Sequence, residues 1–182
     1  MKLELRLSGS GGQGLILAGI ILAEGAILSD LNAVQTQSYG PEARGGASKA
    51  EVIISNDSIN FPKIIHPDIL LALTKKSYNE YLKDVKKDGI IIVDSSVSVE
   101  CTENLKTYKF PIINTSREVV GKEIATNMVA LGIISELLPS VDNEKIMNSI
   151  KRRVPKGTEE LNIKAFQGGI ELFKNNTHSL HY

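Results

Sequence analysis

Residues 2–28, KLELRLSGSGGQGLILAGIILAEGAIL, decide how the fold is read. Leu3, Leu5 and Leu7 alternate with Lys2, Glu4 and Arg6, the two-residue period of a β-strand. Gly9-Ser10-Gly11-Gly12-Gln13-Gly14 breaks the alternation, and a mostly apolar stretch from Leu15 to Leu28 is long enough for a buried helix. Strand, glycine turn and helix make half of a βαβ unit.

The next stretch, residues 35–49 (QTQSYGPEARGGASK), has neither a helical nor a strand period and is expected to be a long polar loop. Regular structure is expected to resume with strands at 50–55, 69–73, 90–93 and 108–113, the last broken by Pro111, and a short helix at 77–85. Thr115-Ser116-Arg117-Glu118 fits a capping box. Val120, Ile124, Met128, Leu131, Ser135 and Leu138 then suggest one helix running to Pro139. Two further helices are expected, at 143–151 with Asp142 as cap and at 159–174 with Ile163, Phe166, Ile170 and Phe173 as core stripe; the polar tail 175–182 is expected to fray. Strands alternating with helices give a single α/β domain over residues 1–182. Its expected architecture is a three-layer α/β/α sandwich with a mainly parallel sheet, its sites at the carboxyl ends of the strands.

Composition narrows the function. Lys plus Arg and Asp plus Glu both number 21, so the formal net charge is zero. That argues against general nucleic-acid or membrane-surface binding, which need positive charge. Cys101 is the single cysteine, too few for a disulfide, an iron–sulfur cluster or a cysteine-rich zinc site. A reducing, cytoplasmic setting is expected. The first residues read as a strand rather than a secretion signal, and the apolar runs fall short of a membrane span.

Gly9-x-Gly11-x-x-Gly14 follows a strand and opens a helix, the context of a dinucleotide-binding turn. A ribose-binding acid is wanted about twenty residues on. Asp30 precedes any second strand, and Asn32–Thr36 holds no acid. A stand-alone Rossmann-like nucleotide-binding protein therefore stays open, beside a tight turn that only packs a helix on a sheet. Gln13 is a polar side chain at the helix start, free to face a ligand or partner. Ser38-Tyr39-Gly40-Pro41-Glu42-Ala43-Arg44-Gly45-Gly46 is a loop of special residues: glycines for unusual backbone angles, Arg44 as a planar donor fork, Tyr39 as an aromatic face. Lys151-Arg152-Arg153 with Lys156 reads as a solvated helix end. His66, His178 and His181 have no partner spacing for metal or triad chemistry. Asp94-Ser95-Ser96 ends a central strand and suits either a site or a cap. No nucleophile elbow, Walker loop, zinc helix or pair of catalytic carboxylates is present, so the expected catalytic set of this chain is empty.

Taken together, GSGGQGLILAGIILAEGAIL (9–28) and QTQSYGPEARGGASKAEVIIS (35–55) resemble the gamma subunit of 2-oxoacid:ferredoxin oxidoreductases, closest to the 2-oxoglutarate type. The resemblance continues through PDILLAL (67–73), VDSS (93–96), NMVALG (127–132) and LNIKAFQGG (161–169). It implies the fold of domain III of pyruvate:ferredoxin oxidoreductase. It also implies a complex with alpha, beta and delta subunits that oxidatively decarboxylates a 2-oxoacid, forms acyl-coenzyme A and reduces ferredoxin. Thiamine diphosphate, Mg2+ and 4Fe–4S clusters would sit in the other subunits and none in this chain. Gly9, Gly11, Gly12, Gln13 and Gly14 would form one part of a ligand- or partner-contact surface. Tyr39, Gly40, Pro41, Glu42, Arg44, Gly45 and Gly46 would form the other. Indolepyruvate oxidoreductases have a related subunit with a similar glycine turn; the 35–46 stretch fits the 2-oxoglutarate type.

Overall fold

The computed structural model describes residues 1–37, 47–99 and 105–177. Its elements run β1 (Lys2–Gly9), α1 (Leu15–Leu28), β2 (Asn32–Gln37), β3 (Ser48–Ser55), β4 (Ile69–Ala72), α2 (Lys75–Tyr81), β5 (Ile90–Asp94), β6 (Lys106–Phe110), α3 (Ile112–Val120), α4 (Thr126–Ser135), α5 (Asn143–Arg153) and α6 (Glu159–Thr177). Short 3₁₀ turns follow α2 and precede α4.

Among the described residues the strands form one sheet in the order β2-β3-β1-β4-β5-β6. The pairs β1–β4, β4–β5 and β5–β6 are parallel, and β3 alone runs against its neighbours β1 and β2. The sheet is thus mainly parallel, as expected, and its reversed strand is the one that follows the second glycine-rich stretch. Alternate side chains separate two apolar layers. Leu5, Leu7, Val52, Ile54, Leu71 and Ile92 meet residues of α1, α3, α4, α5 and α6 on one face. Leu70, Ala72, Ile91 and Val93 meet Tyr78 and Tyr81 of α2 on the other. The sandwich is lopsided: among the described residues α2 and the 3₁₀ turn after it cover the second face.

Because β1 is central, both its faces are covered, and its charged face is buried rather than solvated. Arg6 is 3% exposed. Its guanidinium donates to Glu51 Oε1 at 2.7 Å, Asp84 Oδ2 at 2.7 Å and the Ile64 carbonyl at 3.2 Å, and lies over the Tyr81 ring. A buried guanidinium is tolerable only when its donors are satisfied in this way. Glu4 is paired with Lys2 and Lys86 at 2.8 and 2.9 Å, and Lys86 also reaches Asp68 at 3.0 Å.

The helical half departs from the expected single helix over 115–138. α3 begins at Ile112, with Thr115 already buried in its second turn. Its start is capped from a distance: Pro111 offers no side-chain acceptor, and Asp94 Oδ2 instead accepts from the Ile113 N–H at 3.0 Å. Gly121, at φ 74°, then ends α3. α4 stops at Ser135, four residues before Pro139. α5 and α6 match the expected helices, each running slightly further, and Asp142 caps α5 by accepting from the Glu144 N–H at 2.8 Å. Two glycines let α4 and α6 cross at backbone contact: a Cβ on Gly132 would lie 2.1 Å from the Phe166 carbonyl, and one on Gly169 2.0 Å from that of Val129.

Residues 35–49 are also more ordered at their ends than expected. Gln35–Gln37 belong to β2 and Ser48–Lys49 to β3. β2 reads NAVQTQ, too polar to announce itself, and forms because β3 offers it a free edge. Tail residues 178–182 lie outside the described residues.

A titration follows from the Glu4 cluster. Burial raises the Glu4 carboxyl, but hydrogen bonds and charge from Lys86 and Lys2 outweigh it and hold the group below its usual 4.5. For Lys86, burial acts against the charged form, and the hydrogen bonds and charges of Glu4 and Asp68 overcome it, holding it above 10.5. A depressed carboxyl stabilises the fold above its unfolded pKa and loses that contribution as pH falls through its folded value. Glu4→Gln is therefore expected to lower Tm at neutral pH. The gap to wild type should narrow as pH falls below the ordinary carboxylate range, in thermal unfolding followed by circular dichroism.

Candidate functional site

The turn after β1 is built by its own side chains. Gln13 Oε1 folds back to accept from the Ser10 N–H at 2.7 Å, and fills the space a Cβ on Gly9 would need. Gln13 therefore shapes the turn. Gly12 and Gly14 adopt φ of 84° and 70°, which glycine takes without strain. Gly14 is the residue before α1 and is also pinned from the far end of the chain. Asn127 Nδ2, at the start of α4, donates to the Gly14 carbonyl at 3.0 Å, and a Cβ on Gly14 would stand 2.5 Å from that nitrogen. Gly11 has no such demand on it: nothing lies within 4 Å of its Cβ position. It is exposed at the tip.

Around this turn the sheet presents its carboxyl edge. The β1-α1-β2 crossover lies on one face and β4-α2-β5 on the other, so the chain diverges between β1 and β4. Crevices in open α/β sheets form at such a divergence. Beside it, Thr74 and Ser77 cap α2 reciprocally. Lys75 donates to the Ser98 carbonyl at 2.6 Å. Two hollows of about 330 Å³ each flank the glycine turn and share Gly12 and Ile124. One continues over Leu17, Asn127, Val154 and Leu161, the other over Ser10, Gly11, Glu123 and Thr126. Ile124, at 78% exposure, stands between them.

The expected second contact loop, with Tyr39, Gly40, Pro41, Glu42, Ala43, Arg44, Gly45 and Gly46, lies outside the described residues, as do Cys101, His178 and His181. Its two ends are placed. Gln37 is level with Ala50, and Ser48 pairs with Gly9, so both ends stand at the edge that carries the glycine turn. Tyr81 donates to the Ala47 carbonyl at 3.3 Å, which ties the re-entry point to α2.

Other candidates resolve as structural. Asp94 is 2% exposed and fully engaged: Oδ1 accepts from the Ser96 N–H and hydroxyl, Oδ2 from Ile113. Arg153 and Arg152 reach Glu24 of α1 at 2.6 and 3.5 Å. His66 lies 2.9 Å from the Asp84 carbonyl. The ribose-binding acid of a dinucleotide site has no place here, because the antiparallel β3 occupies the position beside β1 where the second strand of such a fold would lie. Sequence reasoning missed Asn127, whose role arises only when α4 docks on the turn. It also missed the Thr74-x-x-Ser77 cap, which its spacing could have revealed.

The model of the family described as pyruvate ferredoxin/flavodoxin oxidoreductase matches residues 4–172. The chain belongs to this family. The 2-oxoglutarate synthase subunit KorC of Methanocaldococcus jannaschii is 48% identical over 178 residues, covering 96% of this chain and 95% of that protein. The solved structure of a keto/oxoacid ferredoxin oxidoreductase gamma subunit from Geobacter sulfurreducens superposes with a TM-score of 0.86 at 46% identity, covering 96% of this chain and 98% of that one. The ketoisovalerate oxidoreductase subunit VorA of Methanothermobacter thermautotrophicus is 31% identical over 179 residues, which are 96% of this chain and 37% of that longer protein. Members of the pyruvate ferredoxin/flavodoxin oxidoreductase family therefore hold this domain both as a separate subunit and as part of a larger chain. The expected resemblance and fold class both stand.

The turn separates two kinds of glycine. Gly14→Ala meets strain at φ 70° and the Asn127 amide, and is expected to cost about 2 kcal/mol, roughly 4–8 °C in Tm. Gly11→Ala meets nothing and is expected to leave the Tm of the isolated chain unchanged. Differential scanning calorimetry of both variants checks the contrast.

Proposed function

We propose that this chain is the gamma subunit of a cytoplasmic 2-oxoglutarate:ferredoxin oxidoreductase. The complex would convert 2-oxoglutarate, coenzyme A and oxidised ferredoxin to succinyl-coenzyme A, carbon dioxide and reduced ferredoxin. The observation that carries the reading is the 48% identity to KorC over nearly the whole of both chains. The chemistry of the chain agrees. A single cysteine is too few to ligate a 4Fe–4S cluster within one chain. Thiamine diphosphate, Mg2+ and 4Fe–4S clusters belong in this reading to alpha, beta and delta subunits.

What this chain contributes is a contact edge. Gly11 and Gly12 let another backbone or a ligand approach closely. The loop holding Tyr39, Gly40, Pro41, Glu42, Arg44, Gly45 and Gly46 starts and ends at the same edge of the sheet. Arg44 would meet a carboxylate or phosphate of substrate, coenzyme A or a partner subunit.

Two measurements test this. Anaerobic purification of the tagged chain with its partners should yield thiamine-dependent subunits and coenzyme A-dependent viologen reduction. The rate should be highest with 2-oxoglutarate among pyruvate, 2-oxoisovalerate, indolepyruvate and 2-oxoglutarate. A different preferred acid would move the reading to another member of the family. Arg44→Ala is expected to raise the KM for 2-oxoglutarate or coenzyme A, or to loosen assembly; unchanged values for all three would remove Arg44 from the contact edge.

A further inference from the structure

The glycine turn has little backbone preference of its own. Gly11, Gly12 and Gly14 are three of the five residues from Ser10 to Gly14, and glycine loses more conformational freedom on ordering than any other residue. The backbone bond across the turn, from the Gln13 N–H to the Ser10 carbonyl, is long at 3.4 Å. The Gln13 side chain closes the same ring by accepting from the Ser10 N–H. Both bonds lie inside the turn, and neither fixes it against the helices beyond the sheet edge.

Asn127 does so. It is 4% exposed, and its Nδ2 donates to the Gly14 carbonyl, which also accepts from the Ala18 N–H at 3.1 Å. Its Oδ1 accepts from the Met128 N–H. The backbone that leads to Asn127 is itself held. The Ser116 hydroxyl donates to the Lys122 carbonyl at 2.7 Å, the Thr126 hydroxyl donates to the Glu123 carbonyl at 2.6 Å, and Ala125 is buried. Residues 122–127 thus form a firm wall, and one side-chain bond sets the glycine turn against it. Each of the two hollows is lined by Gly12 from the turn and Ile124 from the wall.

We infer that Asn127 is a positioning residue for the reaction of the complex: acting through the Gly14 carbonyl, it holds the glycine turn in the shape that meets a substrate before the substrate arrives. This rests on the functional reading given above. A glycine turn without this anchor must be ordered by the substrate itself, and apparent affinity falls by the fraction of molecules whose turn is already in place. The reacting groups belong in that reading to other subunits, so turnover of the loaded complex is untouched. The signature is a raised KM at unchanged kcat.

The test uses the complex co-expressed with its thiamine-binding subunits and purified anaerobically, as wild type, Asn127→Ala, Gly14→Ala, the double variant and Ser135→Ala. Coenzyme A-dependent viologen reduction is followed well below the Tm of every variant, with each organic substrate varied in turn. The two single substitutions break one contact from opposite sides. Each is expected to raise the KM for 2-oxoglutarate or coenzyme A about two- to tenfold, the effect of one hydrogen bond, with kcat changed less than about twofold. The double variant should raise it no further than the larger single change, because both changes remove the same contact. Ser135 is also buried on α4, about two turns further along, where its hydroxyl donates to the Gly132 carbonyl at 2.8 Å. Ser135→Ala is expected to lower Tm and leave both KM values unchanged. Unchanged KM values in the Asn127 and Gly14 variants, or an equal rise with Ser135→Ala, would make Asn127 a structural residue and overturn the inference while leaving the function intact. Weakened assembly at unchanged KM would assign the turn to a partner subunit and overturn it too. If one single variant does not fold, the other decides. A wild-type complex inactive with 2-oxoglutarate and coenzyme A would sink the functional reading and the inference together.

Discussion

The hydrogen bond from Asn127 to the Gly14 carbonyl joins the two halves of this protein. On one side stand β1, the glycine turn and α1; on the other stands α4, itself locked to α6 through the contact of Gly132 with Gly169. The bond spans 113 positions of sequence and leaves no room for a Cβ on Gly14. It fixes the start of α1 relative to α4, and so sets the hollows on either side of Gly12. Asn127 also accepts from the N–H of Met128 at 3.0 Å, so both ends of its amide are held. A buried amide satisfied at both ends is a rigid spacer, since swinging away would strand two polar groups.

That rigidity fixes the geometry of the carboxyl edge of the sheet. The carboxyl edge of the sheet gathers the glycine turn, the ends of the second loop and the exposed Ile124 in one place. Polar groups elsewhere that resemble site chemistry are already committed. Asp94 caps α3, Arg152 and Arg153 hold Glu24, and Arg6 is saturated by Glu51, Asp84 and Ile64. Among the described residues, Gly11 and Gly12 stay exposed at the tip of the glycine turn.

The family resemblance was legible because two loops of unusual composition occur in the right order, with Leu15–Leu28 between them. Strand β1 and helices α1, α5 and α6 were legible for a simpler reason: the apolar periods of β1, α5 and α6 and the long apolar run of α1 are uninterrupted and local. Strand β2 was not. Its residues have little tendency of their own to form a strand, and pairing with β3 decides their structure. The start of α3 was misread for the converse reason. Thr115 through Glu118 make a good capping box by themselves, yet Asp94, nineteen residues before Ile113, accepts from the Ile113 N–H and so supports a helix that begins at Ile112.

By itself, then, the sequence determined the α/β class, the glycine turn and the family, since each depends on residue types and short-range spacing. Tertiary structure decided the place of the reversed β3 between β1 and β2, the burial of Arg6 and Glu4 and the roles of Gln13 and Asp94. These depend on which distant groups meet when strands pair and helices dock, and no local pattern carries that information. Lys2, Glu4 and Arg6 show the difference: their alternation marks a strand, but only the central position of β1 makes the charged face an interior one that must be neutralised.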